Sequence, residues 1–179
     1  MNYEWRLKIM SKDEIIVKNE YGFFEIKNKP SKKELQEYYA NKYYQEAQGS
    51  YELSYDKAEI KYLLNKIEQK HVVAKTISNI ETGSLLDVGS GEGFTLSHFD
   101  NLGWDCLGLD FSSEGIKSQN PEQARLLIQG DIFENLNDII KDDKKFDLIV
   151  LDNVLEHVLK PFELLANLNK IISDDGVLV

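Results

Sequence analysis

The segment SLLDVGSGEGF, residues Ser84–Phe94, constrains the fold of this 179-residue chain more than any other stretch. An apolar run ends in an acid, Asp87, and then opens into a loop with three glycines, Gly89, Gly91 and Gly93. A buried strand followed by a glycine-rich turn and a helix is typical of a parallel α/β sheet, in which the turn lies against a bound ligand.

From Ser84 onward the chain alternates between strand and helix patterns. Strands are predicted in SLLDVG, DCLGLDFS, ARLLIQGD, FDLIVLDNV and GVLV, the last after an SDDG turn, and helices in FTLSHFDNLG, SSEGIKSQ and PFELLANLNKII. Near-continuous apolar strands separated by amphipathic helices predict a mostly parallel sheet with helices on both faces.

The N-terminal part has a different pattern. The runs WRLKI and EIIVKNEYGFFEI alternate like strands and predict a β-hairpin. Ser31 and Glu34 have the spacing of a capping box and predict a tyrosine-rich helix over about 32–48. A second helix is predicted over about 55–80. We therefore expect an N-terminal hairpin and helical cap, residues 1–54, and a core, residues 55–179.

Composition restricts the partners. The formal net charge of −10 argues against non-specific binding to nucleic acid or anionic lipid, and favours a small molecule. A single cysteine, Cys106, excludes an intramolecular disulfide, and its apolar setting predicts a buried thiol without a catalytic role. The N-terminus does not resemble a signal peptide and no run has membrane-spanning length, so we expect a cytoplasmic protein.

Asp87 makes the glycine loop unusual. The dinucleotide-binding pattern is G-x-G-x-x-G, whereas this loop reads G-x-G-x-G and has Phe94 where a third small residue belongs. A carboxylate beside the loop would repel a pyrophosphate but attract a cation. S-adenosylmethionine carries an ammonium and a sulfonium and no phosphate, so it fits better than NAD, although an NAD-dependent oxidoreductase stays an alternative.

Two further acids follow the next two strands. Asp110 ends the second strand, where a carboxylate can accept hydrogen bonds from ribose hydroxyls. Asp131 follows the third strand and can accept from an adenine amino group, while the Ile132 amide meets a ring nitrogen. The alternative for Asp131 is a helix N-cap.

The segments LLDVGSGEGF, GLDFS, GDIF and FDLIVLDNVLEHV resemble, in this order, four motifs of the class I S-adenosylmethionine-dependent methyltransferases. The resemblance covers Leu85–Val179 and implies a Rossmann-like three-layer α/β/α core, with S-adenosylmethionine as cofactor and S-adenosylhomocysteine as product. It places Asp87, Gly89 and Gly91 at the methionine end, Asp110 at the ribose, and Asp131 with Ile132 at the adenine. Further cofactor-site residues are predicted to be Ser90, Gly93, Phe111, Ser112, Asp152, Asn153 and Tyr43.

The fourth motif bears on the acceptor. Its LEHV form is similar to small-molecule methyltransferases, and LDNVLEH stands where many nucleic-acid enzymes have an Asn/Asp-Pro-Pro-aromatic signature. We expect methyl transfer to an oxygen or nitrogen of a sugar, phosphorylated or nucleotide-linked metabolite of surface-glycan biosynthesis. The alternative is an inactive cofactor-binding module that serves as a regulatory or assembly subunit.

His157 is the candidate general base, because it follows the fourth strand and can titrate near neutral pH. Glu156 and Asp152 are placed to orient it or to contact the substrate. His157 as a cap or packing residue of the next helix is an equal alternative. His71 and His98 are assigned to scaffold or surface, and no metal-ligand cluster is expected. Tyr43 and Tyr44 are candidates for a lid or a cofactor contact, with packing as the alternative.

The apolar GVLV strand would lie at the edge of the sheet and invite pairing. Class I methyltransferases usually continue with two more strands, so we expect the gene to encode further strands, or a partner to cover this edge; a homodimer is one option. A reading frame ending at Val179 would contradict the first of these expectations.

Overall fold

The computed structural model describes residues 16–35 and 55–179. The chain divides into two compact units, 1–35 and 36–179. Three predictions lie outside the described residues: the WRLKI strand, most of the tyrosine-rich helix, and the roles of Tyr43 and Tyr44.

The first unit contains the predicted hairpin. Strands β1 (Ile16–Lys18) and β2 (Phe24–Ile26) pair antiparallel. Residues 32–35 are helical, and the capping box is present at their start. Ser31 N donates to Glu34 Oε2 at 2.8 Å, and Glu34 N donates to Ser31 Oγ at 3.2 Å. The predicted helix start is therefore confirmed.

The second unit alternates between helix and strand along its described length. Its elements are α1 (Lys57–Ser78), β3 (Ser84–Val88), α2 (Phe94–Asn101), β4 (Asp105–Asp110), α3 (Glu114–Gln119), β5 (Leu127–Gln129), α4 (Ile132–Lys141), β6 (Phe146–Val150), α5 (Pro161–Ile171) and β7 (Ile172–Leu178). Short 3₁₀ turns cover Pro121–Leu126 and Leu155–His157. Helix α1 begins after Asp56, whose side chain accepts from the backbone N–H groups of Ala58 and Glu59.

The five strands form one parallel sheet in the order β5-β4-β3-β6-β7. Successive residues of a strand point to opposite faces, so Leu85 and Leu86 of β3 enter two separate apolar clusters. Leu85 packs with Phe99 and Trp104, whereas Leu86 packs with Leu136 and other residues of the opposite face. The predicted three-layer α/β/α fold is confirmed.

Two local predictions differ from the structure. Helix α4 was not predicted, although Leu136 and Ile139 are buried at helical spacing. The SDDG segment was predicted as a turn, and this is wrong, because it lies within β7. The register is irregular there: Ile172 pairs with Phe146 and Val177 with Leu148, so a bulge accommodates the extra residues.

Among residues 16–35 and 55–179, no helix has both the length and the apolar character required to cross a bilayer.

Candidate functional site

The predicted site residues within 55–179 gather at the carboxyl ends of the parallel strands. Strands β4 and β5 lie on one side of β3, and β6 and β7 lie on the other. The connections after β3 and β6 therefore diverge, and such a switch in strand order leaves a crevice for a ligand. The glycine loop follows β3, and the LDNVLEH segment follows β6.

Backbone hydrogen bonds hold the glycine loop in place. Gly89 N and Ser90 N both donate to the Leu109 carbonyl oxygen, at 2.7 and 3.1 Å. Gly91 N donates to Asp110 Oδ2 at 2.8 Å. Gly89, Gly91 and Gly93 have φ angles of +77°, +54° and +77°. Side chains are disfavoured in this region, so the conformation of the loop requires its glycines.

Gly89 also brings two connections into contact. A Cβ atom at position 89 would lie 2.3 Å from Cγ2 of Val154, which belongs to the segment after β6. Asn153, just before it, has a left-handed φ of +55°. The loops after β3 and β6 thus pack at the separation that a glycine permits.

Asp87 is a buried acid with an unpaired oxygen. Its residue is 4% exposed, and no described group donates a hydrogen bond to its buried Oδ2. Burial raises the pKa of Asp87 from 3.8 to about 7; the positive charge of Lys70 opposes this rise, and the charges of Asp110 and Asp152 add to it. A buried carboxylate without a donor is costly, and a cationic donor would relieve that cost.

Lys70 is a residue of this region that sequence reasoning missed. It lies on α1, its side chain is 15% exposed, and its Nζ is 2.5 Å from Asp152 Oδ2. It also lies close enough to Asp87 to lower the pKa of that group. Lys70 lies far from Asp152 in the sequence, so no local sequence pattern predicts that the two side chains meet.

Asp110 organises the loops around it. Its Oδ2 accepts from Gly91 N, and its Oδ1 accepts from Ser112 N at 2.9 Å. Burial raises its pKa, and the backbone donors Ser112, Gly91 and Phe111 oppose that rise. A carboxylate offers about four acceptor positions, so these bonds are compatible with a further hydroxyl donor.

Asp131 is the N-cap of α4. Its Oδ1 accepts from the backbone N–H groups of Phe133 and Glu134, at 3.0 and 3.2 Å. The capping alternative is therefore confirmed, and the adenine contact stays a prediction. Ile132 is the first residue of the helix, so its N–H lacks an acceptor within the helix itself and points to the helix N-terminal end.

Tyr55 and Glu92 form a second pair that was not predicted. The Tyr55 hydroxyl donates to Glu92, 2.7 Å from Oε2 and 2.9 Å from Oε1, and its ring meets Phe94 edge-on at 5.5 Å. Burial raises the pKa of Glu92, and the hydroxyl opposes the rise. Tyr55, two residues before α1, is thus hydrogen-bonded to the loop after β3.

The candidate base is on the segment after β6. His157 and Glu156 are 44% and 57% exposed at their side chains. His157 Nε2 lies 4.0 Å from Glu156 Oε1, which is longer than a hydrogen bond. His157 N donates to the Val154 carbonyl oxygen at 2.9 Å, within the 3₁₀ turn. The catalytic role of the pair stays a prediction.

His71 and His98 were assigned to scaffold or surface, and their meeting in the fold was not predicted. Their ring centroids are 6.1 Å apart, because α1 and α2 pack side by side. Glu68 completes a group whose ligand atoms all lie within 4.8 Å of one another.

Comparisons with known proteins bear on the family and the fold of the chain. A model of a family described as "methyltransferase domain" matches residues 54–179, which is more than half of the chain. In fold, the chain is similar to the plantazolicin methyltransferase BpumL, solved in complex with S-adenosylhomocysteine, with a TM-score of 0.50 and 20% identity. That similarity covers 80% of this chain and 55% of the other.

Curated relatives are also methyltransferases. The chain is 28% identical over 123 residues to the ubiquinone biosynthesis O-methyltransferase of Glaesserella parasuis serovar 5 (strain SH0165), covering 65% of this chain and 52% of that protein. It is 24% identical over 119 residues to the enzyme of the same name from Pelagibacter ubique (strain HTCC1062), covering 66% and 50%. The chain thus spans about half the length of these relatives. With the family match over residues 54–179, the resemblance drawn from the four motifs is confirmed, and the chain belongs to the methyltransferase domain family.

Proposed function

We propose that this chain binds S-adenosylmethionine in the crevice after β3, β4 and β6, and that its protein methylates an oxygen of a small-molecule acceptor. The observation that carries the cofactor proposal is the buried Asp87 carboxylate, whose Oδ2 has no described donor. An α-ammonium supplies such a donor together with a compensating charge. The names of the relatives, O-methyltransferases of ubiquinone biosynthesis, support an oxygen acceptor. They lend no support to a sugar- or nucleotide-linked one.

In this proposal, different residues bind different parts of the cofactor. Asp87 meets the ammonium, Asp110 meets the ribose hydroxyls, and Asp131 with the Ile132 amide meets the adenine. When bound, S-adenosylmethionine supplies a methyl group already activated by its sulfonium, and becomes S-adenosylhomocysteine. The protein's task is then to align the acceptor oxygen in line with the methyl group and to exclude water.

His157 is the general base in this proposal: it accepts the proton that the acceptor hydroxyl loses. In the full-length enzyme, His157→Ala should lower kcat by roughly 100-fold or more at neutral pH, as for other general bases. Turnover that stays intact in this variant would remove His157 from catalysis.

Calorimetry on this chain tests the cofactor. We expect S-adenosylhomocysteine to bind in a one-to-one complex and NADH not to bind. The Asp110→Ala variant should lose one or two charge-assisted hydrogen bonds, each about 1.5–3 kcal/mol. Asp138→Ala serves as the matched control, because Asp138 is an exposed acid on α4 that pairs with Lys141. Binding of NADH in place of the adenosyl ligand would overturn the proposal.

A further inference from the structure

Three potential metal ligands meet between α1 and α2. Glu68 and His71 lie one turn apart on α1, and His98 lies in the last turn of α2. Glu68 Oε2 is 3.1 Å from His98 Nε2 and 3.9 Å from His71 Nδ1. Within the described ranges, this is the one group of three His, Cys, Asp or Glu side chains with ligand atoms close enough to share an ion.

The imidazoles are largely buried, and each has an Nε2 atom without a hydrogen-bond partner among the described residues. The side chains of His71 and His98 are 15% and 16% exposed. The Nε2 atom of each is buried, and no described group makes a hydrogen bond with it. Buried ring nitrogens without a partner are uncommon in folded proteins, and an ion is one of the groups that satisfies them.

The contact between His98 and Glu68 has the spacing of two ligands of one metal. The two atoms, His98 Nε2 and Glu68 Oε2, are 3.1 Å apart. Nitrogen and oxygen ligands bound to zinc at about 2.0–2.2 Å in a tetrahedron lie roughly 3.3 Å from each other.

Aromatic packing fixes the rings in place. His71 meets Phe99 and Trp104 edge-on at 5.2 and 5.9 Å, and His98 meets Phe99 at 5.2 Å. Phe99 is fully buried, and Trp104 is 4% exposed. The imidazoles therefore have little freedom to turn away, which lowers the entropy lost on binding an ion.

We propose that Glu68, His71 and His98 bind a divalent transition-metal ion, with Zn²⁺ the best match to two nitrogens and one carboxylate oxygen. Three protein ligands leave a fourth position for water. The ion would link α1 to α2 and stabilise the packing of both helices on the sheet. The site is separate from the cofactor residues named above, so its test does not depend on methyl transfer.

Zinc titration of the chelator-treated chain tests this proposal, by calorimetry and by thermal unfolding. We expect one Zn²⁺ per chain and a rise in Tm with zinc concentration, because an ion that binds only the folded state stabilises it. Co²⁺ should give the visible absorption bands of a four-coordinate site. Failure of Zn²⁺ to bind at micromolar concentrations would overturn the proposal.

Two variants and a control locate the ion. Glu68→Gln keeps the shape of an exposed side chain and should fold normally, and we expect it to weaken zinc binding at least roughly tenfold. His98→Gln should do the same. His157→Gln is the matched control, because His157 is exposed and lies 4.0 Å from an acid, Glu156. Zinc binding that persists in Glu68→Gln and His98→Gln, or that is lost in His157→Gln alone, would overturn the assignment.

Discussion

Asp87 and Asp110, the acids at the ends of two neighbouring strands, differ in the hydrogen bonds that they accept. Asp87 and Asp110 are both buried, at 4% and 8% exposure. Asp110 accepts backbone N–H groups at both of its oxygens, whereas Asp87 Oδ2 has no described donor. The backbone donors therefore partly offset the cost of burying a charge on Asp110, whereas a charge on Asp87 has no described donor at Oδ2 and destabilises the free protein.

The raised pKa of Asp87 predicts how stability depends on pH. The folded value of about 7 exceeds the ordinary 3.8, so the folded state binds a proton that the unfolded state has lost. The free energy of unfolding should therefore fall as pH rises from 3.8 to about 7, by up to about 1.4 kcal/mol per pH unit. Asp87→Asn should raise Tm at pH 8, and the gain should shrink towards pH 5. A gain that is equal at both values would contradict the prediction.

Ligand binding should show the opposite dependence. An ammonium group requires the ionised form of Asp87, so the affinity for S-adenosylhomocysteine should increase from pH 5 to pH 7 and then level off. In Asp87→Asn the affinity should be weaker and flat over this range, when measured by calorimetry. The same slope in both proteins would assign the pH dependence to another group.

Two substitutions of Asp131 can distinguish its capping of α4 from the proposed contact with adenine. Asn caps helices about as well as Asp, whereas Ala costs about 1 kcal/mol. Asp131→Ala should therefore lower both Tm and the affinity for S-adenosylhomocysteine. Asp131→Asn should keep Tm but lower affinity, since it can cap through Oδ1 while its amide faces the adenine amino group. Unchanged affinity in Asp131→Asn would leave Asp131 a cap alone.

At the scale of elements, the loops after β3 and β6 act together because Gly89 packs on Val154. Tyr55 adds a third element by hydrogen bonding to Glu92 in the first of these loops. The sequence predicted which strands these loops follow, since apolar runs mark the strands. It did not predict the contacts between loops, because side chains that meet across the crevice follow no periodic pattern.

Two glycines with similar backbone angles, Gly89 and Gly103, make a matched pair for testing the contact between Gly89 and Val154. Gly89 and Gly103 have φ angles of +77° and +82°, but nothing lies within 4 Å of a Cβ at position 103. Gly103→Ala should cost about 1–2 kcal/mol from its backbone angle alone. Gly89→Ala should cost roughly 1–3 kcal/mol more from the clash with Val154 and should weaken ligand binding. Equal free energies of unfolding for the two variants would contradict this packing.

For the whole molecule, sequence reasoning predicted the parallel sheet, the two apolar faces and the acids at the strand ends. It omitted α4, although Asp131 was considered as a helix N-cap and Leu136, Ile139 and Ile140 have helical spacing. It also missed the meeting of Lys70 with Asp152 and of His71 with His98. These pairs are far apart in the chain and arise only when α1 packs beside α2 and the sheet.

Cys106 provides a probe of the whole sheet. It lies on β4, is 6% exposed, and burial, with the nearby acids, raises its pKa to about 12, which confirms a buried thiol. Thiol reagents should therefore label the native chain at pH 8 only as fast as the fold opens, and labelling should accelerate in urea along the unfolding curve. Complete labelling without denaturant, at the rate of a free thiol, would contradict this.

The hydrogen bonds of the glycine loop also determine which ligands it can hold. An anion nest works by turning several vacant backbone N–H donors towards one phosphate. In this loop the donors of Gly89, Ser90, Gly91 and Gly93 already face Leu109, Asp110 and Ser90. The loop thus resembles a phosphate-binding loop in sequence, but these four N–H groups are already bonded within the protein. A pyrophosphate at this loop would lack these amide donors and would lie beside the Asp87 carboxylate.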